Sequence, residues 1–164
     1  MCIRDRLNAI QNLSQKEQDL LFDALPLVTV LIAGADGKID ASETSWAKKL
    51  TDIRSYSNEP ELNAFYEKAN KDFAGKVSYL IKEIPAESKE GTQIISDKLT
   101  GLNPILAKLP QILAAKYYKS LTSFARHIAR ADGGFFKMWS VSKEEEALIG
   151  LPMLTPIEMP EEEV

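Results

Sequence analysis

The length, composition and charge of the chain bound the class of protein. Its 164 residues are 45% hydrophobic and 27% charged, which is typical of one globular domain and excludes wholesale disorder. The formal net charge of −4 argues against a nucleic-acid binder, which would show a basic balance. We therefore expect a cytoplasmic protein that binds a cation or a protein partner, and no nucleic acid.

The first six residues are treated separately. Residues 1–6 read as a translated sequencing adapter, so we exclude them from the fold prediction. Their removal takes away one net positive charge, leaving −5, and removes Cys2, the one cysteine. The remaining chain then has no thiol for a disulfide or for nucleophilic catalysis.

Helix signals begin at Ser14. Ser14 and Glu17 form a capping-box signature, and Pro26 is expected to end or kink this helix or to begin the next one. The apolar segment 25–35 is eleven residues long, whereas a membrane span needs about twenty. It predicts a buried central helix, with a buried strand as the alternative because of its β-branched residues.

Further helices are predicted along the rest of the chain. They begin at Asp40 and Pro60, cover 88–102 and 110–131, and resume at Ser142, with a short turn between Asn103 and Pro110. Their inward positions are predicted to include Trp46, Leu50 and Ile53; Leu62, Phe65, Ala69, Phe73, Val77, Leu80, Ile81 and Ile84; and Leu113, Tyr117, Leu121, Phe124 and Ile128. The fold class is therefore all-α. The domain is expected over residues 7–151, with an extended or disordered acidic tail over 152–164.

Two segments share one pattern. Segments 32–43 and 128–145 each contain an apolar helix end, an Ala-Asp-Gly turn, a capping residue and a glutamate three positions later. The second has six more residues between turn and cap. A helix–turn–helix unit used twice predicts a pseudo-symmetric pair.

The first segment resembles the TerB-like family of tellurite-resistance proteins. It contains Ala35-Asp36-Gly37 and the acidic cap at Asp40 and Glu43, and the resemblance covers residues 20–151. The resemblance implies a compact bundle of about seven helices, acidic positions that bind metal, and a link to bacterial stress responses. The second segment departs from the pattern because Ser142 stands at the aspartate position, so two equivalent metal sites are not implied.

Acidic residues around the two turns are the candidate metal ligands. Carboxylates this close repel one another unless a cation or backbone donors compensate, and oxygen ligands suit calcium or a similar divalent cation. The alternative is that these residues only cap helices. The candidates are Asp36, Asp40 and Glu43 at the first turn, and Asp132 and Glu145 at the second.

An aromatic loop follows the second turn. If exposed, it would form a protein-partner or membrane-surface patch, and otherwise it seals its own core. The residues concerned are Phe135, Phe136, Met138 and Trp139.

The single histidine and a basic helix face are the remaining candidates. His127 is expected to be packed or capped, and because no second histidine or Gly-x-Ser-x-Gly turn accompanies it, we expect no enzyme. The basic face suits a solvated surface, with a phosphate or an acidic partner as the alternative. This face comprises Lys116, Lys119, Ser123, Arg126 and Arg130.

Two functional hypotheses follow from the sequence. The first is a non-catalytic TerB-like binding module whose assembly depends on a cation or a partner at the Asp36 turn. The second is a structural or membrane-peripheral interaction domain that uses the aromatic loop and no metal.

Overall fold

The computed structural model describes residues 9–35, 41–57, 60–85, 88–130 and 147–160. These ranges contain no strand, and residues 9–11 and 147–149 are also helical. The longer helices are α1 (Gln15–Ala33), α2 (Ala41–Ser57), α3 (Pro60–Glu83), α4 (Lys89–Thr100), α5 (Leu102–Ala107) and α6 (Gln111–Ala129). The predicted all-α class is confirmed.

Helix α1 lies at the centre of the bundle and contacts each of the five other helices. Its residues from Ala24 to Ala33 are all buried, and the one polar residue among them, Thr29, donates its hydroxyl proton to the Leu25 carbonyl at 2.8 Å. The predicted buried central helix is confirmed and the strand alternative is wrong. No helix in the described ranges is both long enough and apolar enough to cross a membrane.

Two predictions about α1 concern its first turn and Pro26. Ser14 Oγ accepts from the Glu17 amide at 3.2 Å and Glu17 Oε1 accepts from the Ser14 amide at 3.1 Å, so the capping box is present. Pro26, however, lies inside a continuous helix, so it neither ends α1 nor begins the next helix. An internal proline costs about 3 kcal/mol, but burial of a single leucine or isoleucine contributes roughly 1.5–3 kcal/mol. The free energy gained by burying residues 24–33 therefore exceeds the cost of the proline.

Helix α2 is rotated relative to the sequence prediction. Within residues 44–54, whose burial is described, the buried ones are Ala47, Leu50, Thr51 and Arg54. Ile53, which was predicted to face inward, is 37% exposed, and Trp46 is only partly buried. The rotation brings the Arg54 side chain against α3 and α6, where hydrogen bonds hold it. The hydrogen bonds of Arg54 therefore decide which face of α2 is buried, in place of the apolar stripe that the sequence predicts.

Helices α3 and α6 complete the core with aromatic side chains. Phe65 of α3 lies 5.2 Å, between ring centroids, from both Phe22 of α1 and Tyr117 of α6. The Tyr117 hydroxyl donates to the Leu21 carbonyl at 2.7 Å, and burial holds the pKa of Tyr117 well above its usual value. The predicted inward stripe of α6 is confirmed in full. That of α3 is wrong at Ile81, which is 38% exposed.

The segment after residue 150 lies against the core. Leu151 and Leu154 are buried, and Leu151 adopts a left-handed backbone with φ of 49°. Asn103 holds the segment from both sides: its Nδ2 donates to the Met153 carbonyl at 3.1 Å and its Oδ1 accepts from the Thr155 amide at 2.9 Å. Two leucines and one amide side chain thus fix the course of residues 151–155.

We expect Gly75→Ala to stabilise the protein. Gly75 lies in the interior of α3, and a Cβ added there meets no atom within 4 Å. Alanine should raise the free energy of unfolding by about 0.5–1 kcal/mol, since it loses less backbone entropy than glycine. Urea denaturation measures the change.

Gly101→Ala is the matched control. A Cβ at this position would lie 3.2 Å from both Leu20 Cδ2 and the Lys98 carbonyl oxygen. This variant should gain no stability, because the crowded backbone oxygen cannot move freely. A loss of stability in Gly75→Ala would contradict the prediction.

Candidate functional site

The sites predicted from the sequence lie outside the described residues. This holds for Asp36, Asp40, Asp132 and Glu145, and for the aromatic loop of Phe135, Phe136, Met138 and Trp139. Glu43 belongs to α2, but its side chain is likewise not described. Among the described residues, no group of three or more His, Cys, Asp or Glu side chains is placed to hold a metal. Metal binding and the aromatic patch stay predictions.

The most unusual polar group in the described structure is Arg54. Its side chain is only 9% exposed and reaches from α2 to two other helices. Nη1 donates to the Tyr66 hydroxyl at 2.8 Å and to the Ser120 carbonyl at 2.9 Å, and Nη2 donates to Ser123 Oγ at 2.9 Å. A contact of 3.3 Å joins Nη1 to Ser120 Oγ. Arg54 therefore connects α2 to α3 through Tyr66 and to α6 through the two serines.

Two buried rings form the rest of the Arg54 environment. Its Cζ atom lies 5.5 Å from the centroid of the Tyr66 ring and 5.6 Å from that of Phe124. Cation–π attraction of this kind contributes about 2 kcal/mol or more where the cation is desolvated. Arginine suits such a position better than lysine because its planar guanidinium is weakly hydrated and stacks on rings.

No counter-charge for Arg54 is found among the described residues. The ion pairs seen there join Lys48 to Asp52, Lys76 to Asp23, and Lys108 to Glu17. Tyr66 does not supply a negative charge either, because burial raises the pKa of its hydroxyl despite the opposing effect of Arg54. A buried charge balanced only by neutral dipoles and rings is energetically costly.

Arg54 also retains hydrogen-bonding capacity. In the described part of the chain, its Nε–H and one Nη2–H have no acceptor. Ser123 uses its oxygen to accept from Arg54, which leaves its own hydroxyl proton for another acceptor. The Ser120 and Tyr66 hydroxyls bond to each other, so one proton of that pair also remains. These side chains therefore provide several hydrogen-bond donors that a ligand acceptor could satisfy.

These donors lie at a cavity of about 480 Å³ between α2, α3 and α6. Its cationic side comes from Arg54 of α2 and from Lys116 and Lys119 of α6, and the imidazole ring of His127 lies beside them. Its apolar side consists of Leu50, Ile53, Leu62 and Met159. None of its described lining residues is acidic, whereas the cavity beside Leu20 has both lysine and carboxylate side chains around it. We call this cavity the Arg54 pocket.

His127, expected to be packed or capped, lies exposed at the edge of the Arg54 pocket, so the packed alternative is wrong. Its Nδ1 is 2.8 Å from the Ser123 carbonyl oxygen. Because a carbonyl only accepts, Nδ1 carries the proton and Nε2 is the acceptor in the neutral ring.

The sequence indicated one side of this pocket and missed the other. The basic face of α6 was recognised, and Lys119, Arg126 and Arg130 are indeed exposed, while Lys116 and Ser123 are partly buried beside the cavity. Arg54 was not singled out. The available signal was its spacing, seven residues after Ala47 and three after Thr51, which places it on the buried stripe of α2.

Comparisons of the chain with protein-family models, with curated proteins and with solved structures gave no match. The proposals below therefore depend on the geometry of the described residues.

The predicted metal site is tested by calorimetric titration with calcium, magnesium and zinc. If Asp36 and Asp40 converge on a cation, one of these ions should give a saturable heat, because clustered carboxylates lose their mutual repulsion on binding. The Asp36→Asn/Asp40→Asn double variant should lose that heat. A matched Asp19→Asn/Asp97→Asn variant, altered in two acidic residues of α1 and α4, should keep it.

Wild-type protein that gives no saturable heat with any of the three ions would contradict the metal prediction and leave helix capping as the role of these aspartates.

Proposed function

We propose that this chain is a non-catalytic binding module that takes an anionic group, a carboxylate or a phosphate, into the Arg54 pocket. The observation that carries the proposal is the buried guanidinium of Arg54, which has no carboxylate partner among the described residues. A ligand anion would supply a negative charge that the described residues do not. It would also accept the N–H and O–H protons that have no acceptor among those residues.

The energetics favour an anion over a neutral ligand. Hydrogen bonds to charged groups contribute about 1.5–3 kcal/mol, roughly twice as much as neutral ones. Arg54 is held by four hydrogen-bonding contacts to residues of α3 and α6 and lies over two aromatic rings, so its orientation is set before any ligand arrives. A preorganised donor loses little side-chain entropy on binding.

Arg54 also has a structural role, since it connects α2 to α3 and α6. That role alone does not account for Lys119, an exposed cation that also lies at the cavity. A second positive charge beside Arg54 favours an anion between the two. The two roles are therefore separable: the helix connection depends on Arg54, and Lys119 would contribute to ligand binding alone.

The geometry supports binding over catalysis. A serine nucleophile needs a base within hydrogen-bonding distance of its hydroxyl. His127 instead bonds the backbone carbonyl of Ser123, and the Ser123 hydroxyl accepts from Arg54. The described hydrogen bonds include none that pairs His127 with either serine hydroxyl.

The two hypotheses from the sequence concern other parts of the chain. Cation-dependent assembly at Asp36 and Asp40, the stress-response role implied by the TerB-like resemblance, and a cytoplasmic location are proposals compatible with an anion-binding module. An exposed aromatic loop at Phe135–Trp139 would give such a module a second contact surface.

The proposal is tested by NMR titration with inorganic phosphate and with acetate at constant ionic strength. Saturable amide shifts should concentrate at Ser120, Ser123 and the last two turns of α2. Arg54→Lys should weaken binding about tenfold or more, because lysine cannot reproduce the guanidinium fork. Lys119→Gln, a change at an exposed position, should weaken it without affecting the fold.

Lys82→Gln is the matched control, since it removes one exposed positive charge at the far end of α3. It should bind phosphate and acetate as the wild type does. The proposal is wrong if no saturable shifts arise at the pocket, or if Arg54→Lys and Lys119→Gln, both folded by circular dichroism, bind with unchanged affinity.

A further inference from the structure

We infer that the ligand of the Arg54 pocket is a small amphiphilic anion: a carboxylate or phosphate monoester attached to an apolar chain. This inference rests on the proposed anion-binding function and specifies what the anion is attached to. It comes from a second property of the pocket, the division of its lining into a cationic and an apolar side.

The two sides belong to different elements. Lys116, Lys119 and His127 all lie on α6. The apolar residues come from α2, from α3 and from the segment that follows Leu151, and they are Leu50, Ile53, Leu62 and Met159. Arg54 lies on α2 one residue after Ile53 and donates hydrogen bonds to α6, so it connects the polar and apolar sides.

The pocket includes exposed apolar side chains. Among the described residues the large hydrophobic side chains with high exposure are Ile53, Tyr79, Ile81 and Met159. Two of these, Ile53 at 37% and Met159 at 49%, line the Arg54 pocket. Their exposure leaves a favourable free energy of burial available to a ligand. A bare phosphate would not use it, whereas an alkyl chain would.

The size of the cavity suits a small molecule. Its volume of about 480 Å³ lies within the range of pockets that enclose drug-sized ligands. An anionic head among the Arg54 and serine donors places the attached chain along Ile53 and Met159. Each methylene buried there should raise affinity by up to about fourfold.

The experiment is a chain-length series. Acetate, butyrate, hexanoate and octanoate, and the monoalkyl phosphates of the same lengths, are titrated into the full chain at constant ionic strength. Affinity should rise by at least tenfold from the shortest to the longest member of one or both series. The tighter series identifies the head group.

Two variants of the protein test where the alkyl chain of the ligand lies in the pocket. Ile53→Ser should flatten the dependence of affinity on the length of the alkyl chain, because it removes apolar surface that this alkyl chain would cover. Ile81→Ser is the matched control, because Ile81 is also an isoleucine on a helix surface and is 38% exposed. It should keep the full dependence. Both positions are exposed enough for the protein to remain folded, which circular dichroism verifies.

The outcomes separate this inference from the proposed function. If binding depends on Arg54 but the affinity does not change with the length of the alkyl chain, the inference of an amphiphilic ligand is wrong and the proposed anion site stands. No Arg54-dependent binding of any member overturns both. Arg54-dependent sedimentation with phosphatidylglycerol vesicles, without a response to the free amphiphiles, overturns the inference in favour of a membrane surface.

Discussion

The burial of α1 on all sides from Ala24 to Ala33 is the constraint on which the rest of the structure depends. This helix has almost no polar face from Leu21 onward, so its stability requires five other helices to cover it. The same requirement explains why Pro26 is tolerated within it, since the buried apolar area outweighs one missing backbone hydrogen bond. The aromatic side chains of α3 and α6 fill the space on one flank of α1, and their outermost rings, Tyr66 and Phe124, form the surface that Arg54 covers.

Arg54 therefore has a place in both stability and binding. Its hydrogen bonds join three helices at the margin of the core, and the described residues do not balance its charge. A protein optimised only for stability would more easily place an apolar residue there, because replacing buried ionic groups with apolar ones is often neutral or stabilising. Retention of a local cost at one position is typical of functional sites. The neighbouring cations on α6 and the exposed Ile53 and Met159 are consistent with that interpretation.

Sequence reasoning succeeded where local chemistry decides the outcome. The Ser14–Glu17 capping box and the inward stripe of α6 depend on short-range spacing, and both are as predicted. It failed where a distant partner decides. Ile53 fits an apolar stripe with Trp46 and Leu50, but the hydrogen bonds of Arg54 to Tyr66 and Ser120 turn α2 the other way. The course of the segment after Leu151, left open as extended or disordered, depends on Asn103, which lies some fifty positions earlier.

By itself, the sequence determined the all-α class, the positions at which several helices begin, the centrality of the 25–35 segment and the basic face of α6, because these follow from residue type and helical period. Only the tertiary structure decided that Arg54 is buried and that the face of α6 borders a cavity. The pocket also joins Met159 to residues from α2, α3 and α6. The physical reason is distance along the chain: the groups that meet there are up to about a hundred positions apart, and no local propensity encodes their packing.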